Sequence, residues 1–249
     1  MRLFGHELKG ELLLYTRSRE LAFFTFMLPM IFFVLLGSTY GDDRIEGVKG
    51  SRYLLAGMIG YGAIAIGFAG LAIILVIRRE AGVLKRLRAT PLPAPVYVTA
   101  VLCAFLAAFA LEVVGLLVLG RLLFGIAFPS RPFSLVLALV IGSVAFTALG
   151  VGLTALIRSA EGASAVVNAI YLPMAFISGS FFSPHHFPAF IRAIGKVLPL
   201  TYFIKLVRAI MLHGHSITSE GGAVAAVAAW GVVGAAVALR RFRWEPHEG

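Results

Sequence analysis

The chain alternates between long apolar runs and short polar segments. A helix needs about 20 mostly apolar residues to cross a hydrocarbon core about 30 Å thick. Lipid offers no partner to backbone N–H and C=O groups, and the runs lack the alternation of membrane β-strands, so they predict helices. The six runs cover residues 21–39, 53–77, 96–119, 133–157, 166–182 and 223–239. We therefore predict an all-α integral membrane protein with six transmembrane helices, folded as a single transmembrane domain over residues 1–249.

The residues before the first run, 1–20, have the pattern of an amphipathic helix that lies on the membrane surface. Their charged side chains lie away from one apolar stripe. The stripe consists of Phe4, Leu8, Leu12 and Tyr15. We expect the run that follows to be a retained span, because no small-residue cleavage motif comes after it.

Residues 184–213, between the fifth and sixth runs, carry two more amphipathic stretches. Pro199 is expected to end the first of them. Both are too short and too charged to cross a membrane, so they predict external re-entrant or interfacial helices. Pro29 and Pro173 lie within the first and fifth spans, where each is expected to kink its helix.

Composition and charge agree with a membrane location. The chain is 59% hydrophobic and 14% charged, whereas soluble proteins average about 45–50% and about 25%. The net charge is +10, and 13 of the 22 Lys and Arg residues flank the spans on the side that holds both termini. Basic residues favour the cytoplasmic side, so both termini are predicted to be cytoplasmic. The single cysteine, Cys103, is expected to be a buried small hydrophobe in the third span.

One segment between the second and third spans has an unusual pattern. Residues 78–95 contain five of the 22 basic residues and three prolines. Val83, Leu84 and Leu87 cluster on one helical face, with basic side chains around the rest. A topology signal alone would need neither the apolar face nor the prolines. The pattern therefore predicts a short cytoplasmic helix over residues 78–90 that is fixed at both ends to membrane helices.

Sequence motifs for an energy source or an enzyme are missing. The chain has no G-x-x-x-x-G-K-[ST] phosphate loop, no G-x-S-x-G elbow and no H-E-x-x-H zinc helix. It also lacks the paired intramembrane aspartates of a membrane protease. We therefore expect no ATP hydrolysis by this chain alone, and no catalytic residue.

Two sets of polar residues leave alternatives open. Glu112 is the one acid deep in a span, where burying a charge costs about 2.5–3.5 kcal/mol. It is either a substrate contact or proton site, or a structural residue that is protonated or paired with Arg121. Four histidines are either an external metal site or solvated loop residues. They are His185, His186, His213 and His215.

Two blocks of residues resemble one known family. The first block reads R-E-x-G, then a leucine, basic residues and a P-L pair. It comprises Arg79, Glu80, Gly82, Leu84, Arg86, Leu87, Arg88, Pro91 and Leu92. The second block is spaced by prolines. It comprises Pro173, Ser178, Gly179, Pro184, Pro188, Pro199, Leu200, Thr201, Tyr202 and Arg208. Together they resemble the membrane subunits of ABC transporters of the ABC-type-two permease class.

The resemblance implies the permease subunit of a bacterial ABC exporter in the plasma (inner) membrane. Such a subunit moves a hydrophobic or amphipathic substrate outward, while a separate ATPase subunit binds ATP and magnesium and hydrolyses the ATP. The implied partners are that ATPase, a second copy or paralogue of the permease, and membrane lipid. This chain is expected to bind no cofactor, no metal and no nucleic acid.

The resemblance also assigns residues to roles. In the family, the cytoplasmic helix after the second span is a coupling helix that docks on the ATPase. The implied ATPase-binding residues are Arg79, Glu80, Gly82, Val83, Leu84, Leu87 and Arg88, with Val83 standing where Thr is common. Glu112, Pro173 and Ser178 are assigned to a translocation pathway. The alternatives are a lipid-modifying enzyme that uses Glu112 and an outer-loop histidine as acid and base, and a non-transporting membrane scaffold or immunity protein.

Overall fold

A computed structural model describes residues 2–17, 23–90, 93–157 and 159–241. Several predicted features lie outside the described residues. They are the start of the first span at residues 21–22, Pro91 and Leu92 of the first block, and the side chains of Tyr15 and Arg88.

The described chain consists of helices, one small β-hairpin and the loops that connect them, which confirms the all-α class. The elements in order are α1 (Arg2–Arg17), a π-helical turn (Phe23–Met27), α2 (Leu28–Tyr40), β1 (Arg44–Ile45), β2 (Val48–Lys49), α3 (Gly50–Ala63), a π-helical segment (Ile64–Gly70), α4 (Leu71–Glu80), α5 (Val83–Arg88), α6 (Ala94–Phe124), α7 (Pro132–Leu153), a 3-10 turn (Thr154–Leu156), α8 (Ala160–Ile177), a 3-10 turn (Pro184–His186), α9 (Ala189–Gly195), α10 (Pro199–His213), a 3-10 turn (Ile217–Glu220) and α11 (Gly221–Arg241).

Within the described residues, five helices are long and apolar enough to cross a membrane. They are Gly50–Glu80, Val96–Phe124, Pro132–Leu156, Ala160–Ile177 and Ile217–Arg241. They correspond to the second through sixth predicted spans. The first predicted span appears as a shorter apolar helix, Thr25–Tyr40. A multi-pass membrane protein is therefore shown, and the count of six spans stays a prediction.

The second span is the centre of the bundle. Its α3, π-helical segment and α4 form one helical rod, and 78% of its most apolar window is buried, against 17% for the last span. The rod packs against α2, α6, α7, α8 and α10. A helix rises about 1.5 Å per residue. One rod therefore connects the two faces of the bundle, and every neighbouring helix is positioned against it.

Small residues allow helix backbones to approach closely around this rod. A Cβ atom added to Gly150 of α7 would lie 2.7 Å from the carbonyl oxygens of Gly67 and Phe68. On the other side of α7, a Cβ at Gly234 of α11 would lie 2.5 Å from the backbone nitrogen of Leu149. Helix α7 is therefore held between two neighbours by backbone contact.

The loop after α2 contains structure that the apolar pattern did not predict. Strands β1 and β2 pair antiparallel, with Arg44 opposite Lys49 and Ile45 opposite Val48. Glu46 and Gly47, between them, have φ values of 51° and 82°. Positive φ at both central residues is the geometry of the type I′ turns that fit the twist of a β-hairpin.

The two helices predicted within residues 184–213 are present as α9 and α10. Pro199 occupies the first turn of α10, because a proline needs no N–H partner there. Helix α10 packs closely against the bundle, and its place as an external re-entrant or interfacial helix stays a prediction. Leu200, Phe203 and Leu206 are fully buried, since its apolar face packs on α3, α7 and α11.

The structure also shows the N-terminal helix, Cys103 and the two prolines of the predicted spans. The amphipathic N-terminal helix is present as α1 and packs on α6. Cys103 is exposed and not buried, because it lies on the outward side of α6. Pro29 lies in the first turn of α2, directly after the π-helical turn, and Pro173 lies inside α8.

Substituting Gly150 tests the close contact at the centre of the bundle. We expect Gly150→Ala to destabilise the protein by about 1–3 kcal/mol, because its methyl group would press on backbone atoms that cannot move aside. The thermal unfolding midpoint in detergent measures this loss. The control is Gly10→Ala in α1, where no atom lies within 4 Å of the added Cβ. Equal midpoints for the two variants would contradict the packing described here.

Candidate functional site

The segment that carries the R-E-x-G block consists of two helices and not one. Arg78, Arg79 and Glu80 form the last turn of α4, and α5 begins only at Val83. Between them Gly82 has φ +68°, a left-handed conformation that residues with a Cβ rarely adopt. Nothing lies within 4 Å of an added Cβ at Gly82, so backbone conformation alone explains the glycine. The prediction of one helix over residues 78–90 is corrected accordingly.

Arg78 connects α4 to two other helices. Its Nη1 and Nη2 donate to the two carboxylate oxygens of Glu11 in α1, at 2.7 and 2.8 Å. Nη1 also donates to the hydroxyl of Tyr97 in α6, at 2.8 Å. Glu11 is only 6% exposed. This bidentate salt bridge between Arg78 and Glu11 is largely shielded from water. It therefore holds the N-terminal helix more firmly than a surface salt bridge would.

Arg79 points into the bundle. It is 2% exposed, and its Nη1 and Nη2 donate to the carbonyls of Thr154 and Ile157 at 3.1 and 2.7 Å. Both carbonyls lie at the end of the fourth predicted span, and the Thr154 carbonyl also accepts a hydrogen bond from the Ile157 N–H at 3.3 Å. Nε lies 3.5 Å from Glu80. The assignment of Arg79 as a residue that contacts the ATPase is therefore corrected, because its guanidinium is committed to the protein interior.

Helix α5 presents basic residues and not its apolar face. Leu84 is 0% exposed and belongs to the core, and Leu87 is half-buried against that core. The assignment of Leu84 as a docking contact is corrected for the same reason as Arg79. Lys85 and Arg86 are exposed, and Val83 is partly so. The surface that α5 offers to a partner is therefore basic with an apolar margin.

Glu112 lies deep inside the bundle and is 0% exposed. Its carboxyl group packs against Gly62 of α3, and a Cβ at Gly62 would overlap both carboxyl oxygens. Within the described residues neither oxygen has a hydrogen-bond partner. Pairing with Arg121 is not observed, because Arg121 lies nine residues further along α6 at an exposed position near its end. An acid–base pair of Glu112 with a histidine is not assembled either.

A cavity of about 470 Å³ opens at the end of the bundle opposite α5. Ser178 contributes to its wall, while Pro173 is exposed on α8 and Glu112 is inside the bundle. The three residues assigned to a translocation pathway are therefore not brought together. The charged and aromatic residues of the cavity wall are Glu46, Tyr53, Lys205, Arg208 and Glu220, together with three histidines.

The histidines are distributed around this cavity. His185, His213 and His215 line it, and His186 does not. Nδ1 of His215 lies 2.8 Å from Glu220, and the rings of His213 and His215 are 5.8 Å apart. Across the ranges that the structure describes, no group of three or more His, Cys, Asp or Glu side chains could hold a metal ion together.

Arg208, in the cavity wall, is held by contacts with Tyr53 and Gly179. Its guanidinium carbon lies 3.5 Å from the centre of the Tyr53 ring, and Nη2 donates to the carbonyl of Gly179 at 2.6 Å. Burial lowers the pKa of Arg208, while the neighbouring Tyr53 and Glu46 act in the opposite direction. The proline-spaced block contains Arg208, but only the folded chain reveals its position over Tyr53, 155 residues earlier in the sequence.

Comparison with known proteins decides the family. The family model described as ABC-2 type transporter matches residues 2–212. The chain belongs to the ABC-2 type transporter family. The match includes both blocks and all helices through most of α10, and it ends before α11. In this family the membrane component is a transport permease.

A curated relative agrees with this membership. The chain is 23% identical over 190 residues to a protein of Bacillus subtilis (strain 168) named "Putative transport permease YvfS". The alignment covers 75% of this chain and 76% of that protein. The similarity therefore extends over most of both chains and is not confined to one motif.

Substituting Arg79 tests its structural role. We expect Arg79→Lys to destabilise the protein by about 1–3 kcal/mol, because one ammonium group cannot reach two carbonyls in the fork geometry of a guanidinium. The thermal unfolding midpoint in detergent is the measurement, with Arg192→Lys at an exposed position of α9 as the control. A midpoint unchanged by Arg79→Lys would show that the two carbonyl contacts contribute little.

A double substitution tests the contact between Gly62 and Glu112. Gly62→Ala is expected to lower stability, because its methyl group needs the space of the carboxyl group. Glu112→Asp withdraws that group by one methylene and is expected to restore part of the loss. The coupling energy from the four thermal unfolding curves should be about 0.5–3 kcal/mol. Strictly additive effects would mean that the two side chains do not compete for space.

Proposed function

We propose that the chain is the permease subunit of an ABC exporter that moves an amphipathic substrate outward. Family membership supports a transport permease, and the missing phosphate loop supports an energy source outside this chain. The ATPase subunit would bind ATP and magnesium, and this chain would bind neither. A second permease, either a copy or a paralogue, would complete the transporter.

The face that carries α5 is proposed to be cytoplasmic, together with both termini. The distribution of basic residues supports this orientation, since 13 of 22 Lys and Arg lie on that side. In the same orientation the cavity lined by Tyr53 and Arg208 opens to the outside. The plasma (inner) membrane of a bacterium is the proposed location, in keeping with the Bacillus subtilis relative.

Helix α5 and the turn at Gly82 are proposed to receive the ATPase. Arg79 and Leu84 are buried, so the proposed contact surface is Glu80, Val83, Lys85, Arg86 and Leu87, with Arg79 and Leu84 fixing its position. The single observation that carries this proposal is the anchoring of the segment by two adjacent arginines. Because Arg78 and Arg79 connect it to α1, α6 and the end of the fourth predicted span, a displacement of α5 must move several helices together.

The second span is proposed to carry that displacement across the membrane. Tyr53 and Arg79 lie near its two ends, 26 residues apart, which corresponds to about 40 Å along a helix. Tyr53 supports Arg208 at the outer cavity. A movement that begins at α5 would therefore reach the outer cavity along one continuous helical rod.

Charge reversal on α5 tests the docking proposal. The permease and its ATPase subunit are expressed together, and the permease is purified by a tag. We expect Lys85→Glu with Arg86→Glu to weaken co-purification and permease-dependent ATPase activity at least about ten-fold, because like charges replace attractive ones across the interface. Both residues are exposed, so folding should be retained.

The matched control reverses two exposed basic residues at the opposite end of the bundle. Arg192→Glu with Lys196→Glu changes the net charge equally and should leave the complex intact. If the α5 variant keeps its full ATPase complex, or if the control loses it to the same extent, α5 is not the docking surface.

A further inference from the structure

The wall of the outer cavity contains two cationic side chains that form no salt bridge with any described residue. Lys205 and Arg208 are three residues apart on α10, so they lie on one face of that helix and both line the cavity. Across the described ranges, no ion pair includes either residue. The apolar face of α10 is buried in the bundle, so the basic face is held rigidly toward the cavity.

The two acids of the cavity wall are already engaged. Oε1 of Glu46 accepts hydrogen bonds from the Ser183 hydroxyl at 2.6 Å and the Tyr53 hydroxyl at 3.1 Å. Oε1 of Glu220 lies 2.8 Å from Nδ1 of His215. Glu46 is close enough to interact electrostatically with Arg208, but it forms no salt bridge with that residue. Within the described residues neither acid forms a salt bridge with Lys205 or Arg208, so both basic side chains keep donors that no carboxylate occupies.

Two buried polar atoms of the cavity-lining residues have no protein partner. Nε of Arg208 and the hydroxyl of Ser178 are both inaccessible and form no hydrogen bond with any described residue. Ser178 is only 2% exposed. Burying a polar atom without a partner costs about 1–3 kcal/mol. On a solvated surface, water would form hydrogen bonds with such polar atoms. Here a bound ligand with several acceptor oxygens would supply the missing partners.

We propose that this cavity binds a phosphate group through Arg208, Lys205 and Ser178. A guanidinium, an ammonium and a hydroxyl together supply the donors that phosphate oxygens require. Two neighbouring cations that form no salt bridge within the described residues suit a doubly charged group better than a carboxylate. A cavity of about 470 Å³ has room for a phosphate together with part of the molecule that carries it.

Where the phosphate is part of the exported molecule, the substrate is an amphipathic molecule with a phosphate group, and in this respect the proposal rests on the proposed export function. The phosphate could belong to a lipid headgroup or could be free inorganic phosphate. Both sources have the same chemistry at the cavity, and the binding experiment separates them.

The experiment measures binding to the full chain in phosphatidylcholine nanodiscs by isothermal titration calorimetry. The probes are inorganic phosphate, dioctanoyl phosphatidic acid and dioctanoyl phosphatidylcholine. We expect saturable binding of phosphatidic acid and no saturable binding of the zwitterionic lipid. Inorganic phosphate that binds as tightly as phosphatidic acid would identify the free anion as sufficient. Phosphatidic acid that binds alone would identify a lipid headgroup, and both results support the site.

Variants assign the binding to this cavity. Lys205→Gln should weaken phosphatidic acid binding about ten-fold or more, and Ser178→Ala should weaken it less. Arg208→Lys keeps the charge but loses the planar fork, so it should also weaken binding. The control is Lys196→Gln, which removes an exposed charge outside the cavity wall.

Because Lys205 is exposed, its variant should keep the fold, which circular dichroism and size-exclusion chromatography check. Unchanged binding by Lys205→Gln and Arg208→Lys would overturn the proposal, as would the absence of any phosphatidic acid or phosphate binding. No ATPase is present in this experiment. A failure here therefore leaves the docking of α5 untouched, and a failure of docking leaves this binding result untouched.

Discussion

Two adjacent arginines at the end of the second span hold the rest of the structure in place. Arg78 turns toward Glu11 and Tyr97, and Arg79 turns toward two carbonyls at the end of the fourth predicted span. Both guanidinium groups are shielded from water. Removing a partner would therefore leave an unpaired charge in the protein interior. The position of α5 relative to α1, α6 and the fourth predicted span therefore depends on these contacts, together with the buried Leu84 of α5 itself.

The second span connects two chemically different ends. Its cytoplasmic end, in the proposed orientation, carries the arginine anchors, and its outer end carries Tyr53 beneath Arg208. Between them lies the π-helical segment Ile64–Gly70, which follows shortly after the contact between Gly62 and Glu112. A π-helical segment is a local change of helical register, and such segments occur frequently at functional sites. In the proposed function one rod therefore connects the docking surface at one end with the cavity at the other.

Apolar run length predicted most of the membrane helices, because crossing a bilayer requires a minimum number of residues. The R-E-x-G block includes Gly82, which has a positive φ. Glycine favours this backbone conformation, so the sequence itself marks the position of the turn. The inward direction of Arg79 could not be predicted, because its carbonyl partners are about 75 residues away in the chain. The turn at Glu46 and Gly47 was missed because glutamate is an uncommon residue at positive φ. Likewise, Leu84 has the pattern of a docking residue, and only tertiary packing shows that it is buried.

In the proposed orientation, α5 and the cavity lined by Tyr53 and Arg208 lie on opposite sides of the membrane, with α5 inside the cell. Single-cysteine labelling checks this orientation, using Lys85→Cys or Lys205→Cys in a Cys103→Ser background and a membrane-impermeant maleimide. We expect Lys205→Cys to be labelled in intact cells, and Lys85→Cys to be labelled only in inverted membrane vesicles. If Lys85→Cys were labelled from outside intact cells, α5 would not be cytoplasmic and the proposed transport mechanism would be wrong.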